Sequence, residues 1–206
     1  ALTRAFQLYG VPRFLPQSRA ADRHPLARCL LAGIRLASQR FLPEDLSDYA
    51  RSGFAPITDD EADLLLNYAQ EAGLKGRAWL RPLTRGEPEV VAALEPVRQR
   101  FMGPVEALQR KARNAPAERL LEAAFGFLEE IGAREALEAQ QKALEDMGRR
   151  EWAMEGAQVW NRIIQALDQA HELFSGEPLT IRALYDLLRR ALGAAEIKAL
   201  PQSGDA

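Results

Sequence analysis

Apolar side chains recur at three- and four-residue spacing along most of this chain, and runs that alternate at period two are scarce, so its hydrophobic content points to burial between helices rather than between sheets. Leu26, Leu30, Ile34, Ala37 and Phe41 share one helix face, and Pro25 can open that helix because its missing N–H falls where no intrahelical bond is needed. A short helix follows from Pro43 through Tyr49, closed by Gly53. Thr58 and Glu61 make a capping box that starts a helix from Asp59 to Ala72, ended by Gly73. A long helix from Glu87 to about Arg113 carries Pro96 and Gly103-Pro104, which predict a kink or a break into two or three segments. Leu121, Ala124, Phe125, Leu128 and Ile131 form the next stripe, continued less regularly by Leu137, Leu144 and Met147. Trp160, Ile163, Ile164, Leu167, His171 and Phe174 form the clearest amphipathic face. Thr180 is the expected N-cap of a last helix through Ile181, Leu184, Tyr185, Leu188 and Leu192. The expectation is an all-α fold, an irregular multi-helix bundle of seven to nine helices forming one domain over residues 1–206, with a possible subdivision into 1–86 and 87–206.

With 206 residues, 47% hydrophobic and 27% charged, the chain can bury a substantial core. Its formal net charge of −2 argues against a uniformly basic nucleic-acid binder. A single cysteine, Cys29, excludes an internal disulfide and a cysteine-ligated cluster within this sequence. No run is long and apolar enough to span a bilayer and no secretory leader opens the chain, so the expected location is cytoplasmic. Both ends, a start at Ala1 without Met and a finish at residues 200–206 where a strand should begin, read as those of a domain excised from a larger parent.

Catalytic signatures are missing. There is no G-x-x-x-x-G-K-[ST] phosphate cradle, and the two histidines, His24 and His171, lie too far apart for a zinc-protease helix. His171 on its apolar stripe reads as a partly buried structural residue, His24 as a helix-opening one, and Cys29 as buried and inert. Glu196-Ile197-Lys198 matches half of a metal-dependent nuclease motif, but that chemistry needs a second acid on an adjacent strand and the sequence shows no strand nearby. No catalytic, metal-binding or cofactor-binding residue is assigned, and the chain itself is not expected to be an enzyme.

Residues 73–86 form the most basic loop: Lys75, Arg77, Arg81 and Arg85 with no acid among them, around Trp79. The cations could contact phosphates while the indole stacks a base, a DNA-binding arrangement. Equally, Trp79 could plug the core while the arginines are solvated. A second basic run, Arg98, Arg100, Arg110, Lys111 and Arg113 against the single acid Glu106, could extend such a surface or be an ordinary helix face.

Several phrases in order resemble the B subunit of the bacterial ATP-dependent helicase/deoxyribonuclease (the AddB type), in the 2B-like insertion of its superfamily 1 helicase-like half. They are Gly10-Val11-Pro12-Arg13-Phe14, His24-Pro25-Leu26, Tyr49-Ala50-Arg51-Ser52-Gly53-Phe54, Glu61 with Asp63, Asn67-Tyr68, and Gly73-Leu74-Lys75-Gly76-Arg77-Ala78-Trp79. Trp160, Leu167-Asp168, Leu179-Thr180 before Leu184, and Ile197 through to Asp205 resemble the family's return path to its helicase-like core. Ser52 and Leu66 depart from the family's usual Thr and Glu, and residues 87–155 match no motif. The resemblance implies a non-catalytic scaffold in a parent that resects double-strand DNA ends for recombinational repair. It also implies DNA and a partner helicase-nuclease subunit as partners, with Mg²⁺ and an iron–sulfur cluster in a region outside this sequence. The alternative is a helical protein-interaction module of an unrelated larger protein.

Overall fold

Helix α1, Pro25–Ala37, is buried almost all round, which marks it as the element about which the others pack. The structure is a computed structural model that describes residues 18–148 and 150–198, so the motifs at Gly10 to Phe14 and at residues 199–206 lie outside the described residues. Around α1 lie α2 (Pro43–Ala50), α4 (Pro88–Ala112), α5 (Ala117–Glu130), α7 (Arg150–Phe174) and α8 (Ile181–Ala194), all of which contact it. Helix α3 (Asp59–Glu71) packs on α2 and α4, and α6 (Ala133–Asp146) packs on α5 and α7. These eight α-helices among the described residues make the expected all-α bundle, and one apolar core runs from Ala21 to Ile197.

The helix starts follow the sequence signals. His24 caps α1 by accepting the Leu26 N–H at Nδ1, 3.1 Å away. Burial, with Arg19 adding to it, pushes the imidazole down to about 4, keeping it neutral and able to accept. Thr58 Oγ1 accepts from Glu61 N at 3.2 Å while Glu61 Oε2 accepts from Thr58 N at 3.0 Å, completing the capping box on α3. Thr180 Oγ1 accepts from Ala183 N at 3.1 Å and starts α8.

Four expectations are corrected. The helix that carries Pro96 and Pro104 is continuous through all 25 residues of α4. Each internal proline costs roughly 3 kcal/mol, and the burial of Leu94, Val97, Phe101, Met102, Val105 and Leu108 along one side outweighs that cost. The stripe from Leu121 to Met147 is broken where Gly132 adopts φ 63°, so Met147 ends a second helix and is exposed. His171 is exposed, the buried face of α7 being carried instead by Val159, Ile163, Ala166, Leu167 and Ala170. A strand does exist near Glu196: β1 (Ser18–Ala20) and β2 (Glu196–Lys198) pair antiparallel, with Arg19 opposite Ile197, and Ala21 N donates to Ala195 O at 2.8 Å. Three residues around one buried isoleucine are too short to show an alternating pattern.

A chain of aromatic rings crosses the core. Trp79 lies 6.0 Å from Phe101, Phe101 stacks on Tyr49 at 4.8 Å, and Tyr49 meets Phe127 at 5.8 Å. Phe127 of α5 then presses on Gly33 of α1, where a Cβ would come within 2.4 Å of the ring. Cys29, on the same helix as Gly33, is fully buried, and burial pushes its thiol up to about 12, so it is inert as expected.

Candidate nucleic-acid interface

The basic loop leaves α3 through Gly73, whose φ of 64° ends the helix, and coils into a 3-10 turn, Gly76–Leu80. Trp79 sits in this turn and points inward, 1% exposed, against Phe101. The indole is therefore an anchor for the loop and has no free face on which to stack a base. Leu83, also buried, is a second anchor. Between and beyond them Lys75, Arg77, Arg81 and Arg85 are all exposed, and none has an ion-pair partner among the described residues.

The anchors are reinforced from α4. Arg98, 5% exposed, donates from Nη1 to the Trp79 carbonyl at 2.9 Å. Its Nε and Nη2 grip both oxygens of Glu95 at 3.0 and 2.8 Å, and Glu95 Oε2 also accepts the Leu83 N–H at 2.8 Å. The Arg98 bonds, then those from Leu83 and Gln99, hold the Glu95 carboxyl down at about 2. At the far end Tyr68 donates its hydroxyl to the Arg85 carbonyl at 2.6 Å, and Arg85 Nη1 donates to Ala72 O at 2.9 Å. The loop is thus fastened at three places, and its cations project from a fixed frame.

Two hollows lie either side of the Gly76–Leu80 turn. The smaller, about 290 Å³, is lined by Lys75, Arg81 and Arg85 with no acid in its wall. The larger is an open cleft of about 630 Å³ bounded by Arg77, by the last turn of α4 with Gln109 and Arg110, by Arg113 just beyond that helix, by the end of α1, and by Ile181 of α8. Its single acid, Glu106, lies 3.6 Å from Arg98. Gln109 Nε2 donates to Ala37 O at 3.2 Å, joining the two helix ends that form the walls. The cleft also holds Gln39 at φ 67° and Asn114 at φ 53°, the two non-glycine residues with positive φ among the described residues.

The structure thus brings Arg77 of the first basic run beside Arg110 and Arg113 of the second, a juxtaposition without any local sequence signature. It removes Arg98 and Arg100 from that surface: Arg98 is buried and Arg100 pairs with Glu61. Glu196 and Lys198 lie on β2 opposite Ala20 and Ser18, and β1 offers Arg19 between them, so the adjacent strand supplies no second acid for a nuclease centre. No group of three or more His, Cys, Asp or Glu among the described residues is placed to hold a metal ion, and no helix there is long and apolar enough to cross a membrane.

No family model matches the chain. Alignment with curated proteins covers nearly all of it. Its relatives include B subunits of the ATP-dependent helicase/deoxyribonuclease from three bacteria. The chain is 24% identical over 99% of its length to that of Alkaliphilus metalliredigens, 25% over 97% to that of Clostridium novyi, and 28% over 97% to that of Symbiobacterium thermophilum. It spans about a fifth of the length of these relatives, 18 to 19% in each. Along almost its entire length, the chain is therefore similar to one segment of the B subunit of the ATP-dependent helicase/deoxyribonuclease, and the resemblance read from its sequence is borne out.

Proposed function

We propose that the chain is a non-catalytic helical domain of a helicase-nuclease B subunit, over residues 1–206, inserted in a helicase-like half as the 2B-like resemblance implies. It serves as scaffold in a complex with a partner helicase-nuclease subunit that processes double-strand DNA breaks for recombinational repair in the cytoplasm, and it contributes a DNA contact. The observation that carries the DNA contact is the rigidly held loop that presents Lys75, Arg77, Arg81 and Arg85 to solvent without acidic partners. The β1–β2 pairing supports an inserted arrangement, since the polypeptide enters and leaves the bundle at neighbouring positions. Mg²⁺ and an iron–sulfur cluster belong to the parent outside this chain; the one cysteine here, wholly buried, does not fit cluster ligation.

A contact with a partner subunit is favoured by an apolar hollow of about 300 Å³ where α5 meets α7, floored by Leu121, Phe125, Ile164 and Leu167 and rimmed by Glu118, Glu122 and Asp168. The DNA contact is tested by titrating the protein into fluorescent duplex DNA across a salt series. Measurable, salt-sensitive binding that is lost when Lys75, Arg77, Arg81 and Arg85 are together replaced by Gln is the expected result. Binding unaffected by that replacement would overturn the loop assignment.

A further inference from the structure

We infer that the cleft between the ends of α1 and α4 is a phosphodiester-backbone site, in which Arg77, Arg110 and Arg113 engage successive phosphates of nucleic acid without reading or stacking its bases. This rests on the proposed DNA contact and extends it to a second surface that the basic loop alone does not define.

Three observations converge on the cleft. First, its charge is concentrated by folding: three arginines from two separate segments face one acid, in a chain whose overall balance is −2, and that acid already lies beside the buried Arg98. Arg110 in the last turn of α4 is favourable toward the helix dipole, but that role needs neither Arg77, which comes from a different segment, nor Arg113 beyond the helix. Second, neutral donors share the cleft wall with the cations. Asn114 and Gln39 line the cleft, and Gln109 is fixed by its bond to Ala37 O. Third, Gln39 and Asn114 are held in the left-handed region at φ 67° and 53°. Both follow helix ends where glycine would be the relaxed choice, and the strain falls most on Gln39, since asparagine tolerates this region better. Strain of this kind concentrates at binding sites.

The chemistry selects the ligand. Guanidinium groups match phosphate oxygens bidentately. The cleft wall contains no aromatic side chain, and the nearest indole, Trp79, is buried. Base stacking of the kind that favours single strands is therefore absent, and recognition follows backbone charge. Residues of the Gly76–Leu80 turn line both the cleft and the hollow of Lys75, Arg81 and Arg85, Arg77 and Leu80 in the first and Ala78 in the second, so one short turn carries basic walls on two sides.

The test measures fluorescence anisotropy of the protein with a duplex of about 20 base pairs and with the corresponding single strand, across about 50 to 200 mM salt. Three forms are compared: unaltered, R110Q/R113Q, and K75Q/R81Q/R85Q. All these positions are exposed, and matching helical circular dichroism and melting temperatures exclude misfolding as a cause. The expected result is that the duplex binds at least as tightly as the single strand. R110Q/R113Q should lower duplex affinity about tenfold or more at low salt and flatten the salt slope by about 2. If only K75Q/R81Q/R85Q weakens binding, the cleft inference fails while the proposed loop contact stands. If the single strand is preferred with strong dependence on base composition, the backbone-only reading is overturned. If the unaltered protein binds neither, both this inference and the DNA contact fall.

Discussion

Replacing Glu95 by Gln probes the clamp that holds the basic loop. The carboxylate accepts two bonds from Arg98, one from the Leu83 N–H and one from Gln99, and these keep it at about 2, against an ordinary value of 4.5. Because the folded value is depressed, the contribution is fully present above pH 4.5 and is lost as pH falls through 2. At about 1.4 kcal/mol per pH unit, the interaction contributes on the order of 3 kcal/mol at neutral pH. Gln resembles the protonated carboxyl in shape and keeps one acceptor, so E95Q should lose that contribution and cost about 3 kcal/mol at pH 7, and the Arg98 charge, 6% exposed, would retain only Glu106 at 3.6 Å. Urea denaturation followed by circular dichroism, repeated from pH 7 to pH 2, gives the difference directly. The gap between the two proteins should close steadily below pH 4.5 and be nearly gone at pH 2. A gap that stays constant with pH would refute the reasoning, because the loss would then come from packing and not from the charge.

Gly33→Ala should destabilise by about 1 to 3 kcal/mol in the same assay, since three atoms of the buried Phe127 ring would lie within 3.0 Å of the new methyl and overpacking outweighs the roughly 1 kcal/mol gain in helix propensity; a more stable variant would show that the ring moves freely. Gln39→Gly should stabilise by about 0.5 to 1 kcal/mol by relieving the φ of 67°, read as a raised melting temperature, with a lowered one contradicting the strain argument. Asp45 is held at about 6, above its ordinary 3.8, chiefly by burial, with Arg35 at 3.1 Å offsetting part of it. A raised carboxyl contributes stability below pH 3.8 that is lost as pH rises through 6, so Asp45→Asn should improve relative to the unaltered protein between pH 4 and pH 7. Parallel pH profiles would show that Arg35 compensates fully.

Helix positions were legible because capping and spacing are local properties: Pro25, Thr58, Glu61, Gly73 and Thr180 all act where their neighbours in sequence require. The prolines of α4 misled because their cost is local while the compensation, the ring chain through Phe101 and the packing of Met102 and Val105, is tertiary. For the candidate site the residue types were legible and their roles were not. Whether Trp79 faces a ligand or the core depends on Phe101, on a distant helix, and on Arg98 capping its carbonyl. The meeting of Arg77 with Arg110 and Arg113 depends on how α4 lies against α1, which no pattern within either segment encodes.

The β1–β2 ribbon gives the bundle a defined mechanical response. A pull that separates the chain at Ser18 from the chain at Lys198 meets an antiparallel pair one strand apart and must peel its hydrogen bonds in turn before the helices bear load. Until then the distance between the two crossing points is fixed at a strand spacing of about 4.8 Å. A force applied to both strands together would therefore turn the bundle about that clasp rather than stretch it, and the cationic surface would turn as a unit with it.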